Sequence, residues 1–169
     1  MSVGASKWEI ETPALLIDLN AMEENINKMS RYFSSVKSNL RAHAKTHKSP
    51  IIAHKQIEAG AIGVCCQKLG EAEVMAENGV HDILITSEVV DPEKIERLVG
   101  LSRHSDIKVI VDNLEVARII SETARKYGVK QEIMVEVDIG LERCGVMPGR
   151  PTLEFVREII KFDGLNFRG

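Results

Sequence analysis

Ala14-Leu15-Leu16-Ile17-Asp18-Leu19-Asn20-Ala21-Met22 carries an apolar run straight into a segment of helical period, with no glycine between them. An open, doubly wound sheet often announces itself by a glycine-rich turn after its first strand. The absence of that turn tilts the reading toward a (β/α)8 barrel. The rest of the chain keeps the same alternation. Apolar, β-rich runs fall at Ala14 to Ile17, Leu40 to Lys45, Ile62 to Cys66, Ile83 to Ile85, Ile107 to Val111, Ile133 to Val137 and Leu165 to Phe167. Between them Met22, Ile26, Met29 and Phe33, and later Val116, Ile119, Thr123 and Tyr127, recur at steps of three and four, the pattern of one-sided helices.

The start and stop signals agree. Asn20 with Glu23 predicts a capping box, Asp91 before Pro92 a cap and first helical residue, and Pro151 the opening of the last helix; Gly79 and Gly128 stand where helices should end. Repeated β-α units imply a parallel sheet with right-handed crossovers, covered by helices. A complete barrel takes about 250 residues. The sequence of 169 residues therefore predicts an incomplete barrel, five or six of its eight strands, with no internal domain boundary.

Composition sets outer bounds. With 44% hydrophobic and 28% charged residues, the chain has the profile of a globular protein, not of a disordered tail or a disulfide scaffold. A net charge of −3 gives no general electrostatic case for nucleic acid or an anionic membrane as partner. Three cysteines, Cys65, Cys66 and Cys144, are too few for a disulfide framework and point to a reducing compartment. No basic-then-apolar leader opens the sequence, and no apolar run approaches the ~18 residues that span a bilayer. The expected location is cytoplasmic.

The most unusual segment is Arg41-Ala42-His43-Ala44-Lys45-Thr46-His47-Lys48, at the carboxyl end of the second apolar run. In a parallel β/α fold that end is the active-site face. Alternation puts Arg41, His43 and Lys45 on one side of the strand and Ala42 and Ala44 on the other. An amine crowded by cations sheds its proton more readily, and a deprotonated amine can form a Schiff base. The competing reading is a solvated basic face. His43 and His47 have the spacing of metal ligands on a helix, but the segment reads as a strand running into a loop, and Cys65-Cys66 lack the gap of a zinc site. A phosphate cradle would need glycines, and RNA binding would need aromatic platforms; the segment has neither.

Two further segments lie at other strand ends. In Glu136-Val137-Asp138-Ile139-Gly140-Leu141-Glu142-Arg143-Cys144-Gly145 a glycine-bounded loop presents Arg143. The plainer reading pairs Arg143 with Asp138 or Glu142 to stiffen that loop. Cys65-Cys66-Gln67-Lys68-Leu69-Gly70-Glu71-Ala72-Glu73 places Gln67 just beyond a strand, with the two cysteines read as core.

Taken together, Thr12-Pro13 with its apolar run and Asp18, then Arg41 to Lys48, Gln67 to Glu73 and Glu136 to Gly145, resemble the fold-type III pyridoxal-phosphate enzymes, specifically the D-threonine aldolase and D-serine dehydratase group. The resemblance runs from Glu11 to Gly169; Ala42 departs from it, standing where the group usually has proline. It implies that residues 1–169 are the N-terminal part of a pyridoxal-phosphate-binding, alanine racemase-like barrel with about six strands, the run Ala14 to Ile17 belonging to a separate C-terminal β domain. It also implies that Lys45 is the Schiff-base lysine and that Arg143 bonds the phenolic oxygen of pyridoxal 5'-phosphate. His43 would lie near the ring, and Gln67 would line the mouth. The implied activity is that of a lyase for D-configured β-hydroxy amino acids, aided by a divalent metal whose ligands lie beyond the C-terminus of this chain. On that reading the chain by itself catalyses little, and the full-length protein pairs as a homodimer. An amino-acid racemase on the same barrel, or a non-catalytic pyridoxal-phosphate-binding homeostasis protein, are the alternatives.

Overall fold

A computed structural model describes residues 4–169. Six of the seven apolar runs become strands: β1 (Ala42–His43), β2 (Val64–Cys66), β3 (Asp82–Ile85), β4 (Asp106–Val111), β5 (Gln131–Val135) and β6 (Leu165–Phe167). After a short 3-10 turn at Lys7–Glu9, the α-helices among the described residues are α1 (Leu19–Ser34), ahead of β1, then α2 (Pro50–Glu58), α3 (Leu69–Glu77), α4 (Pro92–Leu101), α5 (Leu114–Lys126) and α6 (Arg150–Ile159), each of these five between two strands. The strands form one parallel sheet in the order β1-β2-β3-β4-β5-β6. That order decides the architecture. A doubly wound sheet reverses direction at a switch point, whereas a barrel adds each strand beside the last. The expectation of a TIM-type barrel with about six strands present is met.

The first run is the exception. Ala14 to Ile17 is not a strand, and Leu15, Leu16 and Ile17 are exposed. No described strand accepts it, because the sheet begins at β1, which pairs with β2 alone. The second run narrows to two residues at that edge, although backbone bonds from Ile62 N–H to Leu40 C=O (2.8 Å) and from Ala44 N–H to Cys65 C=O (2.8 Å) extend the pairing on both sides.

Side-chain caps open three of the six α-helices, α1, α4 and α5. Asp91 accepts from Lys94 N–H at 3.0 Å with Pro92 beginning α4, and Asn113 accepts from Glu115 N–H (2.9 Å) at the head of α5. The capping box expected at Asn20 and Glu23 is replaced by an earlier cap. Asp18, in extended backbone, accepts from Ala21 N–H at 3.0 Å, and a carboxylate there also favours the positive end of the helix dipole. Pro151 lies in the first turn of α6, and Gly79 and Gly128 stand just past the ends of α3 and α5.

Residues paired in a parallel ladder share a face, so the two faces of the sheet can be read from the register. One face carries Ala42, Val64, Cys66, Ile83, Ile85, Ile107, Val109, Val111, Ile133 and Leu165, all buried against the helices. They meet Ala53, Ala72, Met75, Ile95, Leu98, Ala117, Ile120 and Ile159 from the helix layer. Each buried Val or Ile adds about 1.5–3 kcal/mol over leaving it in water. The opposite face sets a charged row beside the apolar Cys65, Leu84, Ile110 and Met134. Arg41, Asp82, Lys108, Glu132 and Arg168 run across it as a chain of ion pairs, from Arg41 to Asp82 at 2.7 Å, Lys108 to Asp82 at 2.9 Å and Lys108 to Asp106 at 2.6 Å, ending with Arg168 on Glu132 at 3.4 Å. A Cβ at Gly63 would collide with the Asp82 carbonyl and the Arg41 guanidinium; that bare glycine lets Arg41 reach across β2 to β3.

Candidate active site at the strand ends

Lys45 leaves β1 at its carboxyl end with its side chain exposed, on the same side of the strand as Arg41 and His43, while Ala42 and Ala44 are buried on the other. The alternation expected for this run is therefore seen. The electrostatic part of the expectation is corrected. Arg41 is bound by Asp82 through two bonds of 2.7 and 3.1 Å, so its charge is already compensated, and burial, followed by the nearby Lys45 charge, lowers the His43 pKa. A cation held by its own carboxylate and a neutral imidazole add little like charge beside the amine.

Around Lys45 the structure assembles side chains from three strand ends. The Lys45 ammonium donates to Gln67 Oε1 at 3.4 Å, and the Gln67 amide nitrogen donates to the Ser87 hydroxyl. His43 Nδ1 accepts from the Lys45 backbone N–H at 3.3 Å, and its Nε2 lies 3.2 Å from the Thr86 hydroxyl. Glu71, in the first turn of α3, accepts from Gln67 N–H at 2.8 Å and holds Lys48 at 3.2 Å, tying the loop after β1 to the loop after β2. Burial works to raise the Glu71 carboxyl, but the Gln67 N–H and Lys48 outweigh it and hold it below the usual carboxylate range. Lys48 takes a left-handed backbone (φ 52°), the sharp turn that returns the chain to α2.

Lys45, His43 and Gln67 are thus brought together, and Thr86, Ser87 and Glu71 join them. Sequence reading passed over these last three. Thr86 and Ser87 carry no motif, and Thr86 reaches His43 because His43, Cys65 and Leu84 stand in register across β1, β2 and β3, with Thr86 two residues past that row. Among the described residues Arg143 makes no hydrogen bond with Lys45, His43 or Gln67. It stands exposed at the same end of the sheet, in the loop after β5. β1 and β5 are four strand steps apart, and in an eight-stranded barrel that is the opposite wall of the mouth.

The loop around Arg143 is rigid without a salt bridge. Asp138 Oδ1 accepts from Gly140, Leu141 and Glu142 N–H at 2.8, 2.9 and 3.1 Å, so the carboxylate expected to pair with the arginine holds backbone amides instead. Gly145, at φ 101°, donates to Asp112 at 2.9 Å, and a Cβ there would lie 2.6 Å from Asp138 N. The nearest carboxylate chemistry is Glu136: burial, then the Glu88 charge, hold it above the usual carboxylate range, with the Arg143 charge acting the other way.

The cysteine and histidine alternatives resolve similarly. Burial pushes the Cys66 thiol up to about 12, an inert core residue, and raises Cys65 as well. His47 turns away from His43; its Nδ1 accepts from Ser49 N–H at 3.0 Å at the head of α2. Among the described residues no group of three or more His, Cys, Asp or Glu side chains is gathered to hold a metal ion. No helix among them is long and apolar enough to cross a membrane.

Comparison with known proteins gives a consistent answer. The family profile of the alanine racemase N-terminal domain matches residues 17–169. A 3-hydroxy-D-aspartate aldolase of Paracoccus denitrificans is 39% identical over 168 residues, covering 98% of this chain and 43% of its own length. The crystal structure of D-threonine aldolase from Filomicrobium marinum superposes with a TM-score of 0.92 at 43% identity, over 94% of this chain and 43% of that one. D-threo-3-hydroxyaspartate dehydratase from Delftia sp. HT23 gives a TM-score of 0.85 at 32% identity, over 94% and 42%. The chain spans about two fifths of the length of these relatives.

Proposed function

This chain belongs to the alanine racemase N-terminal domain family, and from that membership we propose that it is the lysine-bearing part of a pyridoxal-phosphate-dependent lyase. Its substrates are D-configured β-hydroxy amino acids, cleaved or dehydrated as the names of its relatives describe. Residues 1–169 are then the N-terminal part of the cofactor-binding barrel. The observation that carries this reading is one exposed amine, Lys45, held by Gln67 and braced by His43 at the carboxyl ends of parallel strands.

The residues fit the cofactor. An aldehyde needs a reachable amine, and Lys45 Nζ is exposed with a single, long hydrogen bond to break. A phenolic oxygen needs a donor, and Arg143 projects from a loop that Asp138 has already made stiff. Bound covalently through Lys45, pyridoxal phosphate supplies an electron sink for the bond broken at Cα. The Lys45 amine would also be placed to hold the proton exchanged at Cα. Gln67 orients the Lys45 amine through its carbonyl oxygen, the amide being fixed by Ser87. His43, a neutral imidazole beside Lys45, would lie near the cofactor ring. A divalent metal would be held by residues outside this chain, as the described residues gather no ligand set of their own.

The test is reductive attachment. The chain is incubated with pyridoxal phosphate, reduced with borohydride and mapped by mass spectrometry. Labelling concentrates on Lys45 and vanishes in Lys45→Ala, while Arg143→Ala retains the fold but holds the cofactor about tenfold more weakly, the loss of one charge-assisted hydrogen bond. Labelling spread evenly over the lysines refutes the assignment. Turnover of D-threonine to racemised product without cleavage would move the reading to a racemase.

A further inference from the structure

We propose that Thr86 is a positioning residue that locks His43 as the neutral Nε2–H tautomer, and that this tautomer fixes the backbone from which Lys45 projects. The inference rests on the proposed function only for its consequence at Lys45; the lock itself follows from hydrogen-bond accounting on three strands.

A threonine hydroxyl has one proton to give. Thr86 Oγ1 donates it to the Cys66 carbonyl at 3.1 Å, alongside the Thr86 backbone N–H, which donates to the same oxygen at 2.9 Å. With its proton committed, Oγ1 can only accept from His43 Nε2, 3.2 Å away, so Nε2 carries hydrogen. The other side of the ring gives the same answer independently. His43 Nδ1 faces the Lys45 backbone N–H at 3.3 Å, and two N–H groups cannot bond each other, so Nδ1 is bare. The imidazolium is excluded by the same contact.

The consequence is mechanical. Lys45 lies past the last ladder pair of β1, His43 with Cys65, and its N–H finds its acceptor in the ring two residues back. A protonated or tautomerised His43 would turn a donor against that N–H and release the segment carrying the amine. The charged groups near His43 are Lys45 on its own strand end and Glu71 from α3, and on β2 Cys65 is its register partner, whose thiol burial keeps protonated. Thr86 hydrogen-bonds His43 and the Cys66 carbonyl but, among the described residues, neither Lys45 nor Gln67, so it acts on the amine through His43.

The test reads the tautomer directly. In the chain labelled with 15N at histidine, the His43 imidazole shifts report an Nε2–H form, and an Nδ1–H or cationic form at neutral pH overturns the proposal without any variant. Thr86→Val removes the acceptor while keeping the shape, and moves the tautomer ratio about fivefold toward Nδ1–H, the equivalent of one neutral hydrogen bond. Thr86→Ser restores the wild-type spectrum. An unchanged ratio in Thr86→Val also overturns the lock. Attachment of pyridoxal phosphate to Lys45, measured on the same samples, slows in Thr86→Val and recovers in Thr86→Ser. A tautomer shift in a chain whose wild type never labels at Lys45 upholds the lock and refutes the proposed function instead.

Discussion

Removing the charge from Asp82 tests the polar layer that spans the inner face of the sheet. Asp82→Asn keeps the shape of the side chain and takes away the anion shared by Arg41 and Lys108. The two cations do not suffer equally. Lys108 keeps Asp106 at 2.6 Å and Glu132 at 3.6 Å, whereas Arg41 is left with the Asp82 carbonyl at 3.2 Å. The cation side chains are only 16% and 10% exposed, which argues for the 3–5 kcal/mol typical of a broken buried pair; Asp82 itself is 32% exposed, which argues for less. The balance is a loss of about 2–3 kcal/mol, or a fall in Tm of roughly 5–10 °C for a chain of this size. Urea unfolding of wild type, Asp82→Asn, Arg41→Met and the double variant measures it, and the double variant should cost clearly less than the sum of the two.

The pH dependence gives an independent check. Burial works to raise the Asp82 carboxyl, but Arg41 and Lys108 outweigh it and hold it below its ordinary value of 3.8. A carboxylate whose folded pKa is depressed contributes stability that is complete above the ordinary value and is lost as pH falls through the folded one. The gap between wild type and Asp82→Asn should therefore be full at neutral pH and close below about pH 3.8. A variant within about 0.5 kcal/mol of wild type at pH 7, the range of an unremarkable surface change, would show that the ion-pair chain contributes nothing.

Two other perturbations address the site. Glu71→Gln weakens the brace between Gln67 N–H and Lys48, with a loss of about 1–2 kcal/mol and faster hydrogen exchange at the Gln67 amide. Because Glu71 is held below its ordinary 4.5, wild type should lose this brace only as pH falls below that value. Gly145→Ala places a Cβ 2.6 Å from Asp138 N and 2.9 Å from the Val137 carbonyl carbon, both backbone atoms that cannot swing aside. Thermal unfolding should show a loss of at least about 2 kcal/mol, and unchanged stability would mean the loop bearing Arg143 is not held as described.

Strand positions were legible because burial against helices imposes apolar runs, and six of seven runs are strands. The exception, Ala14 to Ile17, has the composition of a strand but no partner strand among the described residues, which composition cannot report. Asp18 displaced Asn20 and Glu23 as the α1 cap because all three residues suit the role and only the backbone geometry at Asp18 chooses among them. At the site, Lys45, His43 and Gln67 announced themselves by sitting at strand ends. The partners Thr86, Ser87 and Glu71 did not, since ordinary polar residues gain meaning only from what lies opposite them.

Local spacing alone determined that this chain alternates strand and helix, that one side of the second run is small and the other basic, and that its unusual residues cluster where parallel strands end. Those features follow from period and composition, which operate over a few residues. Which charges cancel was decided by the fold: β3 delivers Asp82 to Arg41 through the gap at Gly63, and Thr86 to His43, contacts separated by some forty residues of chain. The basic run reads as a concentration of positive charge in one dimension, and in three it is a guanidinium paired with Asp82, a neutral ring, an ammonium paired with Glu71 at Lys48, and the exposed amine of Lys45.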